Sequence, residues 1–148
     1  MQREQVDPEY AATIFARIAR GEAPCYKVYE DAHVIAFLDT GAIAPGHTLV
    51  VPKEHAVTMS ELSDASAAAL GRVLPRLCRA IARVTGCPDC NIVQNNGRAA
   101  SQTVMHVHFH IIPKPSETTG LQITPSVRWF DDAEGVELAR RMRGSLKP

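Results

Sequence analysis

Residues 105–114 read MHVHFHIIPK and set His106, His108 and His110 on alternate positions, with Val107, Phe109 and Ile111 between and after them. These are half of the six histidines in the chain. Side chains alternate across a strand, so the spacing predicts one imidazole face and one apolar face. The plainest reading is a polar strand surface that happens to carry histidine. A second is a metal site, since imidazole is the commonest metal ligand. The outer two residues would stand roughly 13 Å apart along a strand, too far for both to reach one zinc ion at roughly 2 Å. Two of the three could chelate with Asp39, His47 or His55, but no second H-x-H, H-x-x-x-H or carboxylate cluster completes such a site. The third reading is nucleophilic catalysis. A neutral imidazole, with an ordinary pKa near 6.5, offers a lone pair at pH 7 once its other nitrogen is held as a donor, most cheaply by a backbone carbonyl. Neighbouring histidines then supply donors to phosphate oxygens and a proton to the leaving group. No magnesium is obligatory, and the chain has no G-x-x-x-x-G-K-[ST] loop.

Composition narrows the setting. At 148 residues a single domain, 1–148, is expected. Sixteen basic and sixteen acidic residues cancel, which leaves no broad footprint for nucleic acid. MQREQVDPEY lacks the apolar core of a signal peptide, and no apolar run approaches the roughly 20 residues of a membrane span. A cytoplasmic protein without membrane contact is expected. Cys25, Cys78, Cys87 and Cys90 read as reduced thiols; the C-x-x-C of CPDC has no second ligand pair to make a zinc site.

The elements that must position the histidines follow from periodicity. PEYAATIFARIAR at 8–20 has helical spacing and stops at Gly21. YKVYE (26–30), VIAFLD (34–39) and HTLVVPK (47–53) read as strands, with Pro52 ending the third or putting it near an edge. From about Ser60 to Val84, residues Leu62, Ala65, Ala69, Val73, Leu77, Ala80, Ile81 and Val84 form an apolar helical stripe, backed by Arg72, Arg76, Arg79 and Arg83. Ser60 or Ser63 is its expected cap, and Pro75 is expected to kink it. NIVQNN (91–96) and 104–112 read as two further strands, and 132–143 as a short amphipathic helix. Strands segregated from one long helix predict an α+β fold with a mostly antiparallel sheet.

HVHFHII resembles the His-φ-His-φ-His-φ-φ signature of the histidine-triad (HIT) superfamily of nucleotide hydrolases and transferases. IFARIARGEAPCYKVYEDAHVIAFLD, PGHTLVVPKEH and NNGRAASQTVMHVHFHIIP follow that family's order and spacing, so the resemblance covers nearly the whole chain. It implies a HIT-like fold: a five-stranded antiparallel sheet with one long helix and short N- and C-terminal helices, in a homodimer.

The resemblance assigns roles by position. His108 matches the nucleophile that becomes nucleotidylated, His110 the residue that contacts phosphate and orients it, and His106 a buried supporting residue. His47 resembles the family's fourth histidine. Gln102 and Thr103 resemble the residues holding the α-phosphate and leaving atom, Asn95 another phosphate contact, and Asp39 the carboxylate that takes the ribose hydroxyls. Phe15, Ile18, Phe37 and Leu49 resemble the apolar slot for the base. By type and place alone, those four read as core, and Asp39 and Asn95 as turn residues. His33 reads as solvated and His55 as structural.

Thr13 and Ala16 stand where many bacterial relatives carry a zinc-binding C-x-x-C, so neither that metal nor any cofactor is expected. The third histidine of the triad argues against the galactose-1-phosphate uridylyltransferase branch. GEAPCYKVYED looks closer to the phosphoramidase (Hint-like) branch, whereas Gln102-Thr103 resembles the dinucleoside polyphosphate hydrolases. The implied activity is hydrolysis of nucleoside 5′-phosphoramidates or related mixed anhydrides, with a purine nucleotide of AMP or GMP type as substrate and product. A dinucleoside polyphosphate hydrolase, or a nucleotide- or partner-binding module with incidental turnover, are the alternatives. Imidazole chemistry predicts that turnover falls below roughly pH 6.

Overall fold

VIAFL and TLVVP are apolar almost throughout, as strands covered on both faces must be. In the computed structural model, which describes residues 13–147, they form β2 (Val34–Leu38) and β3 (Thr48–Pro52) of one antiparallel sheet. The other strands are β1 (Lys27–Glu30), β4 (Cys90–Gln94) and β5 (Phe109–Pro113), in the order β1-β2-β3-β5-β4. The helices are α1 (Ile14–Ala19), α2 (Asp64–Thr85) and α3 (Asp132–Ser145). This is the expected α+β arrangement. The part of the expected first helix before Thr13 lies outside the described residues.

One sheet face carries Val34, Ala36, Val50 and Ile111 against Leu70, Val73, Leu77 and Ile81 of α2. The other carries Ile35, Phe37, Leu49 and Val51 against Phe15 and Ile18 of α1. Along α2 the expected Ala69, Val73, Leu77 and Ile81 are buried, joined by Leu70, whereas Ala65 and Val84 face solvent. Ser63 is the cap: its hydroxyl accepts the Ser66 N–H at 3.2 Å. Gly86, in the left-handed conformation at φ 69°, ends the helix, and Pro75 lies inside it without breaking it.

One expectation holds in only one of its two forms, and another needs correction. Pro52 is the last residue of β3, as the first of its two readings had it, and it marks no edge because β3 is the central strand. Its partner β5 begins only at Phe109, paired with Val50, so 104–108 is not regular strand. The reason is local. Continued pairing would run into Pro52, which has no N–H to give. The chain turns instead, with Val107 N–H donating to the Ala56 carbonyl at 3.0 Å.

Among the described residues, no helix is long and apolar enough to cross a membrane.

Candidate active site

The break in the ladder frees the Pro52 carbonyl, and His106 takes it: Nε2–H donates to that oxygen at 2.8 Å, with His106 fully buried. The backbone carbonyl of His106 in turn accepts Nδ1–H of His108 at 2.7 Å. With its proton fixed on Nδ1, His108 presents Nε2 as a lone pair, and that nitrogen has no hydrogen-bond partner among the described residues. The ring lies between Phe15 and His110, with centroids 4.9 Å from each.

A second chain of hydrogen bonds sets His110. His47 follows the Pro45-Gly46 turn, where Gly46 adopts φ +91° and a Cβ would meet Thr85 Cγ2 at 2.7 Å. That turn brings Ile43 N–H to His47 Nδ1 at 3.1 Å. An accepting Nδ1 puts the His47 proton on Nε2, which lies 2.8 Å from His110 Nδ1 and donates to it. His110 is thereby the Nε2–H tautomer and keeps one donor for the site. Asp39 stands beside this pair, Oδ2 3.5 Å from His47 Nε2, while Oδ1 accepts Gly41 N–H at 2.8 Å as a turn residue would.

Burial lowers all four imidazole pKa values. His106 and His110 are each pushed down to about 4, with burial the leading cause. His47 and His108 are lowered by the same desolvation, which the nearby Asp39 charge opposes. At pH 7 the site is therefore a set of neutral rings. It can hold an anion by aimed N–H donors but supplies no permanent cation.

Asp39, His47 and His110 bring their ligand atoms within 4.8 Å of one another, the one such trio among the described residues. Their hydrogen bonds disfavour an ion. Freeing His47 Nε2 would move its proton to Nδ1 and break the Ile43 contact, and the His110 Nδ1 lone pair is already engaged.

A cleft of about 640 Å³ opens on the α1 side of the sheet, a size usual for small-ligand sites. Phe15, Ile18, Phe37 and Leu49 form its apolar wall, and Asp39, Thr103 and His110 its polar end. The core reading and the slot reading of those four residues thus both hold, because they pack together and face the cleft. Gln102 is buried and fully engaged: Oε1 accepts Gly97 N–H at 2.7 Å, and Nε2 donates to the Val57 and Val104 carbonyls at 2.7 and 3.1 Å. It braces the loop that carries Thr103. Asn95 is half-buried just past β4, outside the cleft lining. His33 and His55 are exposed. Thr13 caps α1, accepting Ala16 N–H at 3.1 Å, so neither it nor Ala16 offers a thiolate. Ile14, Cys25, Tyr26, Thr40 and Val104 also line the cleft. Sequence reasoning missed them; only Ile14 and Thr40 had a signal, as neighbours of Phe15 and Asp39.

An antiparallel sheet that carries a paired set of neutral histidines beside an apolar cleft defines a histidine-triad protein. Residues 20–117 match the HIT domain, and the chain belongs to the HIT family. It is 50% identical over 110 residues to the adenosine 5′-monophosphoramidase of Schizosaccharomyces pombe, covering 74% of this chain and 80% of that one. Against the adenylylsulfatase of Arabidopsis thaliana it is 42% identical over 101 residues, 68% of this chain and 51% of that longer protein. Among solved structures, a HIT family protein from Bacillus anthracis superposes with a TM-score of 0.88 at 35% identity, over 92% of this chain and 98% of the other.

Proposed function

We propose that this enzyme hydrolyses nucleoside 5′-phosphoramidates or related mixed anhydrides through a covalent nucleotidyl-histidine. The observation that carries the reading is the 2.7 Å bond from His108 Nδ1–H to the His106 carbonyl, which leaves Nε2 as a free base. That lone pair attacks the α-phosphorus, the P–N bond breaks, and the leaving amine takes a proton, for which His110 Nε2–H is positioned. Water then opens the N–P bond of the intermediate, its oxygen joining phosphorus and its proton replacing the one His110 gave up, which releases a nucleoside monophosphate and restores neutral His108 and His110. His106 and Gln102 are positioning residues in this scheme. Thr103, Asn95 and His110 serve the phosphate, Asp39 the ribose, and the Phe15–Leu49 wall a purine. The names of the yeast and plant relatives support AMP-linked substrates.

A dinucleoside polyphosphate hydrolase is the second reading, favoured by the Thr103 hydroxyl on the cleft wall. A nucleotide- or partner-binding module with incidental turnover is the third. A homodimer is part of the proposal, supported by β4 as an edge strand whose Ile92 is 48% exposed. So is a cytoplasmic location, in keeping with four free thiols.

Intact mass after brief incubation with adenosine 5′-phosphoramidate tests the chemistry. The expected gain is one nucleoside monophosphate, absent in His108→Gly. Tight substrate binding with no adduct and no turnover in the unaltered enzyme would leave only the binding-module reading. Rates on the phosphoramidate against diadenosine tri- and tetraphosphate decide between the two hydrolases.

A further inference from the structure

Three of the four cysteines lie away from the histidines, at the far end of the sheet, and no catalytic role uses them. In the β4–β5 ladder Cys90 pairs with Pro113 and Ile92 with Ile111. Cross-strand partners share a face, and Ile111 belongs to the cluster under α2, so Cys90 points toward α2. Cys78 packs against that same cluster from the helix, one turn after Leu74. The α2 end and Pro113 are neighbours, since Ile81 Cγ2 and Pro113 Cγ approach one point above Gly46 at 3.5 and 3.4 Å. Register and packing thus put the side chains of Cys78 and Cys90 side by side in the seam between α2 and β4. Cys87 is turned aside, its Sγ–H donating to the Asp89 carbonyl at 3.2 Å. The three thiols therefore do not converge as ion ligands, and the single three-ligand group among the described residues lies at Asp39, His47 and His110.

We propose that Cys78 and Cys90 form a dithiol–disulfide pair that, when oxidised, clips helix α2 to the edge strand β4. The co-reactant is a small disulfide such as oxidised glutathione. Cys90 is exposed and reacts first: its thiolate attacks the small disulfide, forms a mixed disulfide and expels one thiol. Cys78, whose thiol burial pushes up, reacts second. Its thiolate attacks Cys90 Sγ and expels the second small thiol. Two protein thiols are oxidised, one small disulfide is reduced to two thiols, and no other reactant is needed. In a reducing compartment such a bond is a reversible response rather than a permanent staple. The pair occupies the α2 face of the sheet, whereas His110 pairs with Leu49, whose cluster lies on the opposite face. The clip therefore acts on stability and on the edge strand, not on the histidines, and it does not depend on the substrate reading above.

The test is equilibration of the full chain with oxidised and reduced glutathione, followed by alkylation and peptide mapping. The expected product has lost 2 Da, retains two alkylatable thiols at Cys25 and Cys87, and yields a Cys78–Cys90 linked peptide. Its melting temperature should rise by about 5 °C and return on reduction. Cys87→Ser should keep the bond, and Cys90→Ser, a change at an exposed position, should abolish it. A Cys87–Cys90 link, a stable glutathione adduct at Cys90, or four thiols still open to alkylation under excess oxidised glutathione would each overturn the proposal.

Discussion

Each imidazole in the site is defined by what its second nitrogen touches. The difference that sets their roles is at Nδ1: that of His108 gives a proton to a carbonyl, whereas that of His110 receives one from His47. One ring becomes a base and the other a donor. The pH dependence belongs at this scale. Burial holds the His108 pKa below 6.5, so the ring stays neutral further into acid than a free imidazole would. The profile of kcat/KM should stay level from pH 8 down past the ordinary imidazole value and bend into an acid limb of unit slope only below pH 6.5. An acid limb centred at pH 7 or above would contradict a desolvated His108, and a profile still flat at pH 4 would contradict histidine as nucleophile.

At the scale of elements, the site depends on two interruptions. Pro52 stops the β3–β5 ladder and releases the carbonyl that holds His106. Gly46 turns the chain so that His47 enters beside His110. A side chain at 46 would clash with Thr85 Cγ2 and would have to adopt φ +91°, so Gly46→Ala combines overpacking with backbone strain. We expect a loss of about 2–4 kcal/mol in urea unfolding and a drop in kcat larger than that in substrate affinity, because His47 moves while the apolar wall does not. Unchanged stability in that variant would mean the turn has another way to close. The helix contributes differently: α2 is held by Leu70, Val73, Leu77 and Ile81, and it reaches the histidines only through the sheet.

For the whole molecule, the buried histidines make folding sensitive to mild acid. His106 is pushed from 6.5 to about 4 in the folded chain, so between those values the unfolded chain takes up the proton and the folded one does not. Stability falls as pH drops through that window, by about 3 kcal/mol for this one group. His110, also lowered to about 4, acts in the same direction. The depressed carboxylates act in a separate window: Glu30, held at about 2 by Lys27 and Lys53, matters only below pH 4.5. Urea midpoints should therefore decline already between pH 6.5 and 4.5. Equal midpoints at pH 7 and pH 5 would show that the histidines are hydrated in the folded protein.

Much of this was legible in the residues. Alternation of histidine with apolar residues, the buried runs of β2 and β3, and the stripe and cap of α2 are local patterns, and local patterns survive in any fold that buries one face. The family signature carried the identity of the site residues further than chemistry could, since Phe15, Ile18, Phe37 and Leu49 look like ordinary core. What the chain order could not contain was the tautomer of each ring, the contact between His47 and His110 across 63 residues, the service of Gln102 to its own loop, or the meeting of Cys78 with Cys90. Those depend on which carbonyl, amide or thiol another segment brings within about 3 Å, and only tertiary packing decides that distance.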